Sequence, residues 1–221
     1  MEFFHLINSL LEQDTTKELV RLAVVYAHLI ACCVAVGLVL TSDLAMARQL
    51  LRGDDSAHCR PSHLESLQRT ISLALLMLWV TGAVIILLDM SVKGWTYLLN
   101  PKLQAKVLIV ALLTLNGMLL HQAVLPALAR AGSLLGLPPA MRSLALFAGT
   151  VSAVSWFYAA MLGVGRPLAW KYSLAELMVA YPLLILAGYV AMSLLVGWAS
   201  QRRQRIVAMA AGPDASRQMA S

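Results

Sequence analysis

Two histidines and one lysine stand within long apolar stretches of the chain, namely His28, His121 and Lys106. An ionisable side chain at the depth of a bilayer costs roughly 2.5–3.5 kcal/mol on insertion scales, and by default it marks a functional site. Imidazole nitrogens bind transition metals and haem iron, and they carry protons near neutral pH. The three residues are therefore candidates for cofactor binding. The alternatives are an interhelical hydrogen bond worth about 0.6 kcal/mol and, for Lys106 near a predicted membrane boundary, snorkelling of its long side chain.

The spacing of the polar residues places them on one stripe of each apolar segment. At about 100° per residue, His28 and Asp43 share a stripe on the first segment. On the third segment Thr114 lies on the same side as His121, whereas Asn116 points almost the opposite way and is expected to bond to a different neighbour. Two striped helices predict a shared polar interior. Its further candidate residues are Asn116, Thr114 and Asp43.

The depths of the two histidines restrict the cofactor that they could share. His28 lies about three residues to one side of the middle of its segment, and His121 lies about four residues to the other side of its own. At a rise of 1.5 Å per residue, the two rings are about 10 Å apart along the membrane normal if both helices run in the same direction. One iron between both rings is therefore not predicted. A haem with one histidine and another axial group, or a proton or ion path through both rings, remains open.

A second set of metal-ligand side chains lies between the first two apolar segments. His58, Cys59 and His63 follow a pair of aspartates, Asp54 and Asp55. Imidazole and thiolate bind Zn²⁺ and other transition metals, so these three residues are candidate metal ligands. Their spacing matches no strong zinc pattern, and a solvated loop is the alternative. The chain also lacks the common nucleotide-binding, metalloprotease and hydrolase motifs, which argues against those activities.

The composition of the chain indicates the kind of structure that positions these residues. Of the 221 residues, 60% are hydrophobic and 13% are charged, with a mean hydropathy of +0.75, whereas soluble domains carry about 25% charged residues. Five apolar segments approach or exceed the ~20 residues that cross a bilayer as a helix. They cover about residues 22–40, 71–88, 107–128, 143–163 and 173–199. The predicted fold class is all-α: a polytopic membrane protein with a five-transmembrane-helix bundle and an N-terminal amphipathic surface helix.

Local signals mark several of the predicted helix ends. Asn100-Pro101 combines a preferred N-cap with proline at the first helical position, so it predicts the start of the third helix. Ser173 and Glu176 have the spacing of a capping box at the start of the fifth helix. Pro182 inside that helix predicts a kink.

The chain divides into a surface helix at residues 1–16, a five-helix membrane domain at 17–200 and a basic cytoplasmic tail at 201–221. Seven lysines and arginines fall on one side of the predicted membrane and ten on the other. Because cytoplasmic loops are richer in these residues, we expect an outside N-terminus and a cytoplasmic C-terminus in a bacterial-type inner membrane. The formal charge of +6 is thus assigned to topology rather than to nucleic-acid binding. The expected partners are the lipid bilayer and either another membrane protein or a second copy of the chain.

Several short features resemble two related groups of bacterial inner-membrane proteins, the copper-resistance D group and the membrane-bound protoporphyrinogen oxidase group. The features are His28, Trp79, Gly82 and the alanine-lysine-aliphatic segment at 105–110. The resemblance implies haem binding or copper handling, with roles for His28 and Lys106. The chain departs from the oxidase group at Gly117, where that group carries a histidine; His121 follows one helical turn later.

Three functions follow from the polar stripes and are distinguished by experiment. The leading hypothesis is a membrane protein with an intramembrane polar site that is haem-associated or redox-active, with His28 as a ligand. The second is a permease or channel for a metal ion, a proton or a small solute, which would use the same stripes as a wet path. The third is a non-catalytic membrane anchor or assembly subunit, whose polar groups would meet the helices of a partner.

Overall fold

The structure is a computed structural model that describes residues 14–52, 61–165 and 170–210. Within these ranges the chain is almost entirely helical and contains no β-strand. The five long helices are α1 (Asp14–Arg52), α2 (Pro61–Lys93), α3 (Pro101–Ala131), α4 (Pro139–Val164) and α5 (Leu174–Ala210). A 3₁₀ helix at Trp95–Leu99 joins α2 to α3. Residues 1–13 of the predicted surface helix, the loop ligands His58 and Cys59, and the tail beyond 210 lie outside the described residues. Residues 14–16, assigned to the surface helix, belong to α1.

All five helices are long and apolar enough to cross a membrane. The spanning segments are Thr16–Arg48, Ser66–Lys93, Pro101–Ala131, Pro139–Val164 and Leu174–Arg202. A helix suits this environment because it satisfies every backbone hydrogen bond within its own segment. The all-α class and the number of spans predicted from the sequence are confirmed, and the protein is an integral membrane protein.

Two predicted helix starts are confirmed by their capping hydrogen bonds. The backbone N–H of Lys102 donates to Asn100 Oδ1 at 3.0 Å, with Pro101 at the first position of α3. At the start of α5, the Ser173 N–H donates to Glu176 Oε2 at 2.7 Å, and the Glu176 N–H donates to Ser173 Oγ at 3.3 Å. These bonds satisfy N–H groups that have no partner inside the helix.

Helix α4 lies at the centre of the bundle. It packs against α3 and α5 and also contacts α1, while the most extensive single interface joins α1 to α2. The buried residues form three clusters, one around the α1–α2 interface and two at different levels between α3, α4 and α5. Helices α3, α4 and α5 therefore form one side of the protein, and the α1–α2 pair packs beside them.

Several helices extend beyond their apolar segments, among them α1, which covers Asp14–Arg52 against a predicted segment of 22–40. Helix α2 begins at Pro61, inside the expected polar loop, and α5 continues to Ala210, ten residues into the segment assigned to the tail. Hydropathy detects only the length in contact with lipid, whereas helical hydrogen bonding continues into the aqueous layer. The extended part of α5 contacts α1 there, because Arg202 Nη1 donates to the Leu51 carbonyl at 2.7 Å.

Helix α3 contains one irregular turn that the sequence analysis did not predict. Residues Leu120–Val124 form a π-helical turn, in which the Leu125 N–H donates to the Leu120 carbonyl. Pro126 lies two residues after this turn, and it has no N–H to donate to the carbonyl of Gln122. The wider turn accommodates that missing hydrogen bond, and it changes the direction in which the following side chains point.

Candidate functional site

The central polar contact of the bundle joins α1 to α2. His28 Nδ1 lies 2.8 Å from Thr81 Oγ1, and the Thr81 hydroxyl donates its proton to the Met77 carbonyl on its own helix. Because a hydroxyl carries a single proton, the Thr81 oxygen must accept the second bond, and the donor is the Nδ1–H of His28. The neutral imidazole is thereby held as the Nδ1–H tautomer, with a lone pair on Nε2.

The histidine ring lies over the backbone of α2 beside Gly82. A Cβ placed on Gly82 would be 3.7 Å from His28 Cε1, so the ring sits at contact distance from a position that carries no side chain. Thr81 is buried and His28 is half-buried. Thr81 thus supplies the hydrogen-bond acceptor for the ring, and Gly82 lets the ring approach the backbone of α2.

Lys106 of α3 brings a positive charge to the same place. Its ammonium lies within electrostatic range of His28 and of Cys32, one turn further along α1, without a recorded hydrogen bond to either. The half-buried Lys106 makes no ion pair within the described residues, where the recorded pairs are those of Asp89. We call His28, Cys32, Thr81 and Lys106 the histidine cluster. Two of the three predicted cofactor residues, His28 and Lys106, therefore belong to one cluster.

A buried carboxylate lies at the end of α2, on the side of the bundle where Lys106 lies. Asp89 has only 8% of its side chain exposed; Arg21 Nε of α1 donates to Oδ1 at 3.0 Å, and Lys93 Nζ donates to Oδ2 at 3.4 Å. The Lys93 ammonium also lies 4.7 Å from the centre of the Tyr97 ring. Burial, together with a hydrogen bond to the Asp89 carboxylate, raises the pKa of Tyr97 to about 12. This group links α1, α2 and the 3₁₀ helix.

Next to this ion pair a cleft of about 610 Å³ opens at the end of the bundle. Four cationic side chains line it, Arg21, Lys93, Lys102 and Lys106, together with Tyr97, Asn100 and Trp170. We call it the basic cleft and define it by those four cations. Lys106 belongs both to the basic cleft and to the histidine cluster, so the two features are neighbours.

The remaining polar candidates of α3 bond to other helices. Trp79 Nε1 donates to Thr114 Oγ1 at 3.1 Å, and the Thr114 hydroxyl donates to the Val110 carbonyl at 2.8 Å. Asn116 is buried, and its Nδ2 donates to the Ala148 carbonyl of α4 at 2.8 Å. The expectation that Asn116 bonds to a different neighbour is met by this contact. Thr114 and Asn116 thus hold α3 against α2 and α4.

Two predicted residues lie apart from the histidine cluster. His121 is exposed on the π-helical turn of α3, and Asp43 is exposed on α1. Within the described ranges no group of three or more His, Cys, Asp or Glu side chains has the arrangement of a metal site. The proposed loop ligands His58 and Cys59 lie outside those ranges, as does the side chain of His63.

Two residues of the site were not singled out from the sequence. Thr81 could have been found as a polar residue next to glycine within an apolar segment, since such a pair marks a close helix contact. Asp89, near the end of an apolar segment, is buried between two cations in the structure. Its i,i+4 spacing to Lys93 was the available signal.

Comparison of the chain with protein-family models, with curated proteins and with solved structures finds no match.

Proposed function

We propose that this integral membrane protein binds haem through His28 and serves a haem-associated or redox function in the membrane. The observation that carries the proposal is the hydrogen bond from His28 Nδ1–H to Thr81 Oγ1 at 2.8 Å. Histidines that bind a metal through one ring nitrogen almost always donate the other N–H to an oxygen, which orients the ring and increases the basicity of the ligating nitrogen. His28 has this arrangement, with Nε2 as the ligating atom.

Two groups near His28 support the proposal of a macrocycle with acidic side groups. Gly82 presents no side chain to the imidazole, since a Cβ there would lie 3.7 Å from His28 Cε1. Lys106 supplies a cation without an ion-pair partner among the described residues, which suits the carboxylate of a haem propionate. The resemblance to the copper-resistance D and protoporphyrinogen oxidase groups implies roles for the same two residues, His28 and Lys106. Bound there, haem would supply one-electron chemistry, with its potential set by the axial ligand and the apolar surroundings.

A haem held between His28 and His121 is not part of this proposal. His121 is exposed on the π-helical turn, while His28 bonds across the α1–α2 interface. We therefore propose a single protein imidazole as the axial ligand.

The test is the absorption spectrum of the protein purified in detergent after expression with excess haem. The parent is expected to show a Soret band in stoichiometric amount, and His28→Ala is expected to lose it. His121→Ala is the matched control, because it removes an imidazole from the same protein at an exposed site. A parent without a Soret band, or equal haem content in the two variants, would contradict the proposal.

A further inference from the structure

The basic cleft carries far more positive than negative charge. Its walls hold Arg21, Lys93, Lys102 and Lys106, and the acidic side chain recorded beside them is Asp89, which bonds to two of the four. Among the described residues, the three cations Arg21, Lys93 and Lys106 stand beside this one carboxylate, so positive charge is in excess. In a concave site walled by low-dielectric protein and lipid, such an excess concentrates the field and favours an anion.

The start of α3 increases the positive potential of the cleft. Asn100 and Lys102, which line it, are the N-cap and the second residue of that helix. The N-terminal end of a helix carries about half a positive charge from its aligned peptide dipoles. The four side chains and this helix end therefore act on the same volume.

The position of the cleft indicates a ligand that belongs to the membrane. Lys93 is the last residue of the second span, and Lys102 is the second residue of the third, so the cleft lies at the depth of the lipid headgroups. The neighbouring surface is apolar and exposed: Trp95 is 78% exposed, Leu99 65% and Leu22 65%. Trp170, on the wall of the cleft, is 62% exposed, as is typical of aromatic residues at a membrane interface.

From this combination we infer that the basic cleft binds the phosphate of an anionic phospholipid. The phosphate oxygens accept hydrogen bonds from the Arg21 guanidinium and from the lysine ammonium groups. The acyl chains lie along the exposed apolar surface beside Leu22 and Leu99. A free phosphate ion offers the same oxygens, but it would leave that apolar surface unused.

The experiment counts the lipids that stay bound by native mass spectrometry. The protein is exchanged into detergent with phosphatidylglycerol or with phosphatidylcholine, which share acyl chains and differ in net charge. The variants are Lys93→Gln, Lys102→Gln and the two combined. Lys17→Gln is the matched control, because it removes the same charge at an exposed position of α1, one turn from Arg21 and outside the cleft.

We expect the parent and Lys17→Gln to retain phosphatidylglycerol in preference to phosphatidylcholine. Each lysine near a membrane surface contributes about 1 kcal/mol to the binding of anionic lipid, which corresponds to about a fivefold loss of affinity for each cation removed from the cleft. Circular dichroism of the same samples confirms that the variants are folded. Equal retention of phosphatidylglycerol by the double variant and by Lys17→Gln would overturn the inference.

A second arm distinguishes the lipid from a soluble anion. Inorganic phosphate is added to the parent carrying phosphatidylglycerol, at constant ionic strength maintained with chloride. Retention of the lipid supports the headgroup as the ligand. Displacement of the lipid by phosphate, absent with chloride, would overturn the lipid assignment and make the cleft a site for a soluble phosphate.

Discussion

His28 and Thr81 are 53 residues apart in the chain, and their Nδ1 and Oγ1 atoms lie 2.8 Å apart across the α1–α2 interface. The bond connects an ionisable side chain to a hydroxyl whose own proton is used within α2. The hydrogen-bond network therefore favours His28 Nδ1–H as the donor, with the lone pair on Nε2. The proposed function depends on this relationship, and so does the first prediction.

Replacement of Thr81 by valine keeps the shape of the side chain and removes the acceptor for His28 Nδ1–H. Loss of such an outer hydrogen bond typically lowers metal-ligand affinity about 10–100-fold. We expect Thr81→Val to weaken haem binding by that factor, measured by haem titration of the purified protein. Thr70→Val is the control, because the exposed Thr70 hydroxyl donates to the Ser66 carbonyl of the same helix. Equal affinities in the two variants would show that the His28–Thr81 bond does not support a ligand.

Replacement of Gly188 by alanine is expected to destabilise the α4–α5 interface. A Cβ at Gly188 would lie 2.8 Å from Thr150 Cγ2, and the hydrogen bond from Thr150 Oγ1 to the Leu146 carbonyl at 2.8 Å holds that side chain in place. Overpacking of this kind costs about 1–3 kcal/mol. Unfolding of the detergent-solubilised protein by heat or denaturant measures the change. Gly197→Ala is the control on α5, where a Cβ meets nothing within 4 Å; a similar loss there would argue against the close contact.

Conversion of Asn116 to aspartate removes a donor from a buried contact. Asn116 Nδ2 donates to the Ala148 carbonyl at 2.8 Å, and an ionised carboxylate there would present oxygen to oxygen. A buried unpaired charged group costs more than the roughly 1–3 kcal/mol of a neutral one. We expect Asn116→Asp to reduce the free energy of unfolding by at least about 2 kcal/mol. Gln204→Glu makes the same amide-to-acid change at an exposed position of α5 beyond its spanning segment, and its stability should stay close to that of the parent.

The raised pKa of Tyr97 predicts a loss of stability at high pH. Its ordinary pKa is 10.0, and in the folded protein it is about 12. The unfolded chain therefore loses the phenol proton at a lower pH than the folded chain does. The contribution of Tyr97 is fully present below pH 10 and decreases between pH 10 and 12.

The Tyr97→Phe variant isolates this contribution from the lysines, which titrate in the same range. We expect the stability of the variant to fall less steeply than that of the parent between pH 10 and 12, in unfolding experiments under matched conditions. Tyr172→Phe, at an exposed tyrosine, should follow the parent. Identical slopes for the parent and Tyr97→Phe would contradict the assignment.

The membrane architecture could be predicted from the sequence because its causes are local. Spans follow from the length of apolar segments, and their starts follow from neighbouring residues, as with Asn100 beside Pro101 and Ser173 beside Glu176. The periodicity of α3 also separated Asn116 from the side of His121. Each of these properties is decided within one helix.

The composition of the polar site was decided by the tertiary structure. Whether His28 meets Thr81, Lys106 or His121 depends on the rotation and depth of separate helices, which are set by the packing of α1 on α2 and of α4 on α1 and α3. The tertiary structure also buried Asp89 between Arg21 and Lys93, and it left His121 exposed on the π-helical turn. The sequence by itself therefore determined five membrane helices and the residues that are costly to place in them. Only the contacts between helices decided which of those residues form one site, because polar groups in lipid must find partners on other helices.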